Sequence, residues 1–97
     1  MSGNRVTDER LFQRYVARGD PYTRDALVAR FLPLARDLAT RYSHGDEALD
    51  DLVQVASIGL LQAVDRYDPT RGTKFTSYAV PTILGELKRY FRDCGWA

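Results

Sequence analysis

The stretch LDDLVQVASIGLLQAVDRY, residues 49–67, decides the fold. Leu49, Leu52, Val53, Ala56, Leu60, Ala63, Val64 and Tyr67 recur every three or four positions, the spacing of one broad buried helical face, and Asp50 or Asp51 is suited to cap its start. Upstream, the polar, glycine-containing run Ser43-His44-Gly45-Asp46-Glu47 reads as a loop. Downstream, Asp68-Pro69-Thr70-Arg71-Gly72 is a turn, because proline and glycine each suit backbone angles that a continuing helix rejects.

Further out, Thr7 caps a first helix with Asp8 and Glu9 at its positive dipole end, running to about Arg18. Gly19-Asp20-Pro21 then stops that helix and starts a second, in which Leu27, Phe31, Leu34, Leu38 and Tyr42 form the buried stripe. Pro33 lies inside this stripe, which predicts a kink or two short helices meeting near Leu32. Thr76 or Ser77 is the expected cap of a last helix with Val80, Leu84, Leu87 and Phe91 in its core-facing row and Pro81 in its first turns. No stretch alternates apolar and polar residues as a strand does, and there is no internal repeat. The expected fold is all-α, a compact bundle of four to five helices.

Ninety-seven residues, 44% apolar and 28% charged, fit one small domain spanning residues 1–97. The net charge of +1 excludes a protein that coats polyanions through bulk charge, so any nucleic-acid site is local. A single cysteine, Cys94, supports neither a disulfide framework nor a multi-cysteine metal site, and no apolar run is long enough for a membrane span or a secretory signal. A cytoplasmic protein without membrane contact is the expectation.

Charge divides along element boundaries. Residues 49–68 carry Asp50, Asp51, Asp65 and Asp68 against Arg66, a net of −3, while residues 69–97 carry Arg71, Lys74, Lys88, Arg89 and Arg92 against Glu86 and Asp93, a net of +3. Away from the buried stripe, Asp51, Gln54, Ile58, Leu61 and Asp65 share one side of the central helix. Acids and an amide framing large apolar residues suit a binding surface; a second packing face inside the domain accounts for them equally well. In the basic half, Lys74, Lys88, Arg89 and Arg92 interleave with Phe75, Tyr78, Tyr90, Phe91 and Trp96. That mixture suits single-stranded nucleic acid, with cations on phosphates and aromatic faces on bases, and Gly85 offers a close backbone approach. A solvated cationic face over core aromatics, with Phe91 among them, is the alternative.

Catalysis has little to work with. His44 is the only histidine, so a histidine metal cluster or a paired proton relay has no second member, and Asp50-Asp51 point in different directions on a helix. Neither a Walker loop nor a dinucleotide fingerprint occurs. No enzyme, cofactor or metal is expected.

The run from Asp50 to Asp68, followed by Arg71-Gly-Thr-Lys-Phe-Thr-Ser-Tyr-Ala79 and by Val80-Pro-Thr-Ile-Leu-Gly-Glu-Leu-Lys-Arg-Tyr-Phe-Arg-Asp-Cys-Gly-Trp96, closely resembles region 2 of bacterial sigma factors of the sigma-70 class, in their stress-response and sporulation branch. The resemblance implies that the helix carrying Asp-Leu-x-Gln docks on a helical coiled coil of the RNA polymerase beta-prime subunit through Asp51, Gln54, Ser57, Ile58 and Leu61, with Asp50 assisting. Val55 stands where many relatives have glutamate. It further implies that Phe75 and Tyr78 contact the opened strand of the minus-ten promoter element, that Lys74, Lys88, Arg89 and Arg92 hold phosphates, and that Tyr67 and Tyr78 wall a pocket for a flipped adenine. Pro81-Thr82 replaces the tryptophan pair of housekeeping relatives, which implies a weaker strand-separating wedge and stricter demands on promoter sequence; Thr73 replaces a common aromatic. An anti-sigma protein is a further partner of this branch, and the chain is expected to be a piece of a longer one. Against this stand a helical protein-interaction module that does not touch DNA and a small acid/base enzyme around His44.

Overall fold

A computed structural model describes residues 7–43 and 48–93. Four α-helices follow one another: α1 (Asp8–Arg18), α2 (Pro21–Tyr42), α3 (Leu49–Arg66) and α4 (Phe75–Asp93), with a 3-10 turn at Pro69–Arg71 between the last two. No strand occurs among the described residues. The bundle is all-α as the periodicity requires; His44, Cys94 and Trp96 lie outside the described residues.

The first caps follow from their residues. Thr7 accepts a hydrogen bond from the Arg10 amide and Asp20 accepts one from the Thr23 amide, while Gly19 ends α1 in the left-handed conformation at φ 62°. Pro21 occupies the first position of α2, where its missing N–H costs nothing.

Pro33 does not split α2, which is one helix of 22 residues. Proline at 33 leaves the carbonyl four residues earlier, that of Ala29, without its amide partner. Ala29 and Pro33 are both exposed, so water can satisfy that carbonyl. The most deeply buried positions of α2 are Thr23, Leu27, Ala35 and Ala39; Phe31, Leu34, Leu38 and Tyr42 are half-buried around them, packed on the core. Small alanines let α2 lie close to its neighbours while the longer side chains flank the contact.

α3 begins one residue before the expected aspartates. Ala48 is its N-cap, with no side-chain capping bond, and Asp50 and Asp51 sit in the first turn, where they complement the positive helix end. Leu52, Ala56, Gly59, Leu60, Ala63 and Val64 are buried, but Leu49, at the helix start, is exposed. α4 also begins earlier than expected. The Ser77 and Tyr78 amides donate to the Lys74 carbonyl, so Thr76 and Ser77 lie inside the first turn and cap nothing. Its buried row is Phe75, Ala79, Ile83, Leu87 and Phe91, with Val80 and Leu84 only half-buried. Pro81 therefore sits in the second turn, exposed, above an exposed Ser77.

α3 and α4 approach each other backbone to backbone at Gly59. A methyl group added at Gly59 would lie 2.8 Å from the Ile83 Cα, so glycine is required for the two helix backbones to meet. The approach expected at Gly85 is not used inside the domain, since nothing lies within 4 Å of a side chain placed there. α3 and α4 thus form the central pair, with α2 packed across α3 and α1 laid over α2 near the 3-10 turn.

Candidate functional site

The outer face of α3 is left open and is not a second packing face inside the domain. Asp50, Asp51 and Gln54 are exposed, Ile58 is 50% exposed, and Leu61 and Ser57 are half-buried. The buried row at 52, 56, 60 and 63 forces this outcome, because positions 51, 54, 58 and 61 lie on the opposite side of a 3.6-residue turn. Neither Asp50 nor Asp51 has an ion pair among the described residues. The result is an apolar centre with unneutralised acids at its N-terminal end, a surface suited to a basic, partly apolar helix. Ser57 turns its hydroxyl inward, donating to the Val53 carbonyl at 2.7 Å. Val55 packs on the core edge.

Asp65, at the end of the same row, is not part of the open surface. Its carboxylate accepts from the Tyr15 hydroxyl at 2.7 Å and from Arg24 Nε and Nη2, both at 2.8 Å. This bidentate hydrogen bond from Arg24 holds the carboxyl below its ordinary range against the desolvation that opposes it. Burial and the Asp65 carboxylate together push the Tyr15 hydroxyl up.

The second site lies at the C-terminal end of α3, where four elements converge. Tyr67 is the residue that ends α3, its amide donating to the Ala63 carbonyl. Its ring meets Phe12 of α1 at 4.7 Å, Phe75 of α4 at 5.3 Å and Tyr78 at 5.9 Å, and its hydroxyl donates to the Thr73 carbonyl. Phe75 in turn contacts Phe12 and Phe31 at 4.8 and 4.6 Å. Beside the two tyrosines opens a hollow of about 530 Å³ whose other walls are Arg66, Asp68, Arg71, Thr73, Ser77 and Pro81. A smaller hollow, about 330 Å³, shares Tyr67 and Thr73 and is rimmed by Asp8, Glu9, Gln13, Lys74 and Thr76 over a floor of Phe12, Phe31 and Phe75.

The turn that builds this wall is held by its own side chains. Asp68 accepts from the Thr70 amide and hydroxyl at 2.9 and 2.6 Å and pairs with Arg71 at 3.5 Å, and the Thr70 contacts lower its carboxyl pKa most. Gly72, at φ 77°, closes the turn in a conformation other residues rarely adopt.

The aromatic and basic candidates divide into three groups. Tyr67 and Tyr78 do line one hollow, but their rings already touch, so they are adjoining walls and no base fits between them. The expectation for Phe75 is corrected: at 6% exposure it is core, the first member of the buried row of α4, and it supports Tyr67 with little of its ring left to meet a strand. Lys74, Lys88, Arg89 and Arg92 are exposed, but none lines the larger hollow. The last three share the outer side of α4 with Tyr78, about 15–20 Å further along the helix at about 1.5 Å per residue. Arg89 and Arg92 make only long contacts, 3.9 Å to Glu86 and 3.7 Å to Asp93, and Lys88 makes no ion pair among the described residues. Arg66 and Arg71, which sequence reading did not single out, are the cations that line the larger hollow with the two tyrosines. Their position directly before Tyr67 and directly before Gly72 was the available signal.

Among the described residues no group of three metal-ligating side chains occurs, and no helix is long and apolar enough to cross a membrane. What the geometry defines is a helical domain with two unlike faces, acidic and apolar on one helix, basic and aromatic where that helix ends.

Comparison with known proteins carries the description further. The family model described as sigma-70 region 2 matches residues 27–97. The RNA polymerase sigma-F factor of Kitasatospora aureofaciens is 51% identical over 70 residues, covering 72% of this chain and 24% of that protein. RNA polymerase sigma factor SigF of Mycobacterium tuberculosis is 50% identical over 74 residues, 76% of this chain and 28% of that protein. The RNA polymerase sigma-B factor of Bacillus subtilis is 43% identical over 89 residues, 92% of this chain and 34% of that protein. The chain belongs to the sigma-70 region 2 family, and the matches span about a quarter to a third of these relatives' length.

Proposed function

We propose that this chain is the part of an alternative sigma factor that docks on the RNA polymerase core and captures an unpaired nucleotide of the minus-ten promoter element. It has no catalytic step of its own; bond formation belongs to the polymerase. The observation that carries the reading is the coexistence of two chemically opposite faces on the α3–α4 pair. Asp50, Asp51 and Gln54 steer a basic helical partner such as the beta-prime coiled coil, while Ile58 and Leu61, with Ser57 at the edge, bury apolar area once it has arrived. In the hollow, Tyr67 and Tyr78 offer ring surface to an extruded base, and Arg66 and Arg71 sit where its flanking phosphates pass. Lys88, Arg89 and Arg92 extend the phosphate track along α4, and Lys74 marks its other side. The sigma-F and sigma-B names of the relatives accord with the alternative branch. An anti-sigma protein covering the α3 face would compete with polymerase for Asp51 and Leu61. The cytoplasm is where polymerase and promoter are found together.

Polymerase binding tests the first half. Asp51→Ala and Gln54→Ala lower affinity for purified core by about tenfold each, the scale of the minority of interface residues whose truncation costs more than about 1 kcal/mol, and two unchanged affinities overturn the docking assignment. Run-off transcription with the longer parent chain separates a sigma factor from a helical interaction module, which binds without starting transcripts.

A further inference from the structure

Tyr15, Arg24 and Asp65 form a polar clasp that joins three helices. Its three hydrogen bonds, 2.7 to 2.8 Å long, bridge 50 and 41 residues of chain. Arg24 and Asp65 keep 35% and 39% of their side-chain surface exposed, so the clasp is held by bidentate geometry and not by burial. An ordinary surface ion pair of this exposure contributes little to stability. Its location is more informative than its strength.

Asp65 immediately precedes Arg66 and Tyr67, the two residues with which α3 enters the wall of the larger hollow. Tyr67 is backed by Phe12, a buried residue of α1, and Tyr15 lies one turn further along that helix. Tyr15 therefore ties α1 to the residue beside the hollow, and Phe12 presses the same helix against Tyr67. Of the three clasp residues, Tyr15 and Arg24 lie before residue 27, ahead of the segment that the family model matches.

Resting on the base-capture reading above, we propose that the Tyr15–Arg24–Asp65 clasp is a positioning device for the hollow. It fixes the end of α3 against α1 so that Arg66 and Tyr67 stand at the right separation from Tyr78, and it thereby sets selectivity for the captured base. Arg24 and Asp65 are positioning residues, since neither reaches the hollow.

The test compares two probes, a short oligothymidine strand with one central adenine and the same strand with an abasic residue there. The wild-type chain prefers the adenine strand by about fivefold or more, the scale of one base stacked on an aromatic ring. Arg24→Gln and Asp65→Asn each reduce that preference to within about twofold, and the double variant reduces it no further, as expected of one shared device. Affinity for the abasic strand, which reports phosphate contacts alone, stays unchanged. A wild-type preference that survives in both single variants overturns the clasp proposal and leaves base capture standing. Absence of any preference in the wild-type chain overturns both. Equal losses on the two strands would mean general unfolding, and also overturn the positioning role. Should Arg24→Gln fail to fold, Tyr15→Phe removes one hydroxyl, leaves the Arg24–Asp65 pair, and lowers the ratio in the same direction by a smaller amount.

Discussion

The outer face of α3 and the hollow at its C-terminal end are built in opposite ways. The face is a property of one helix: turning the buried row inward turns Asp51, Gln54, Ile58 and Leu61 outward, whatever the rest of the chain does. The hollow belongs to no single element. Its walls come from the end of α3, the turn at Pro69–Arg71 and the start of α4, and α1 stands behind Tyr67. A face made on one helix tolerates small shifts of its neighbours, whereas a pocket shared among four elements has a shape only as accurate as their packing.

The sharpest way to probe this difference is to remove the support and the wall separately. Phe75→Ala empties a buried aromatic position touching Phe12, Phe31 and Tyr67, and lowers unfolding free energy by about 3–5 kcal/mol in a urea titration. Tyr78→Ala, at a half-buried position, costs clearly less stability yet abolishes the adenine preference. Equal stability losses in the two variants would erase the distinction between floor and wall. Gly59→Ala comes next. The added methyl meets the Ile83 backbone at 2.8 Å, an overpacking cost of about 1–3 kcal/mol, reduced by the better helix propensity of alanine, about 1 kcal/mol. A stable Gly59→Ala chain would show that α3 and α4 can part without penalty.

The smallest effect is electrostatic. Arg24 depresses the Asp65 carboxyl below its ordinary value of 3.8, so the contribution of the clasp is complete above that value and is lost as pH falls through the lowered one. From about pH 5 to about pH 3, the melting temperature of the wild-type chain falls further than that of Asp65→Asn, which has no carboxyl to protonate there. Parallel declines would mean that Asp65 is no more tightly held folded than unfolded.

How much of this was legible beforehand follows the same division. The helices, the stop and start at Gly19-Asp20-Pro21, the turn at Asp68–Gly72 and the outward row of Asp51, Gln54, Ile58 and Leu61 on α3 follow from local spacing and turn chemistry. The errors arose where local rules met tertiary context. Pro33 is tolerated at an exposed position, where water can reach the Ala29 carbonyl, and Phe75 opens the buried row of α4. Asp65 looked like a fifth member of the docking row until Arg24, 41 residues away, accounted for it. Arg66 and Arg71 adjoin Tyr67 and Gly72 in sequence, but only the folded turn brings both into one hollow with Tyr78. The Asp65 pairing is a contact distant in sequence, which no periodicity encodes.

The bare Cα of Gly59 has an evolutionary consequence. With the two central helices locked backbone to backbone at one point, neither the exposed row of α3 nor the tyrosine hollow shares a side chain with the lock. Under the proposed function, substitutions in the tyrosine hollow can retune promoter preference, and substitutions on the α3 face the polymerase contact, without disturbing the joint between them. Glycine at 59 should then outlast most of the residues that give each lineage its specificity.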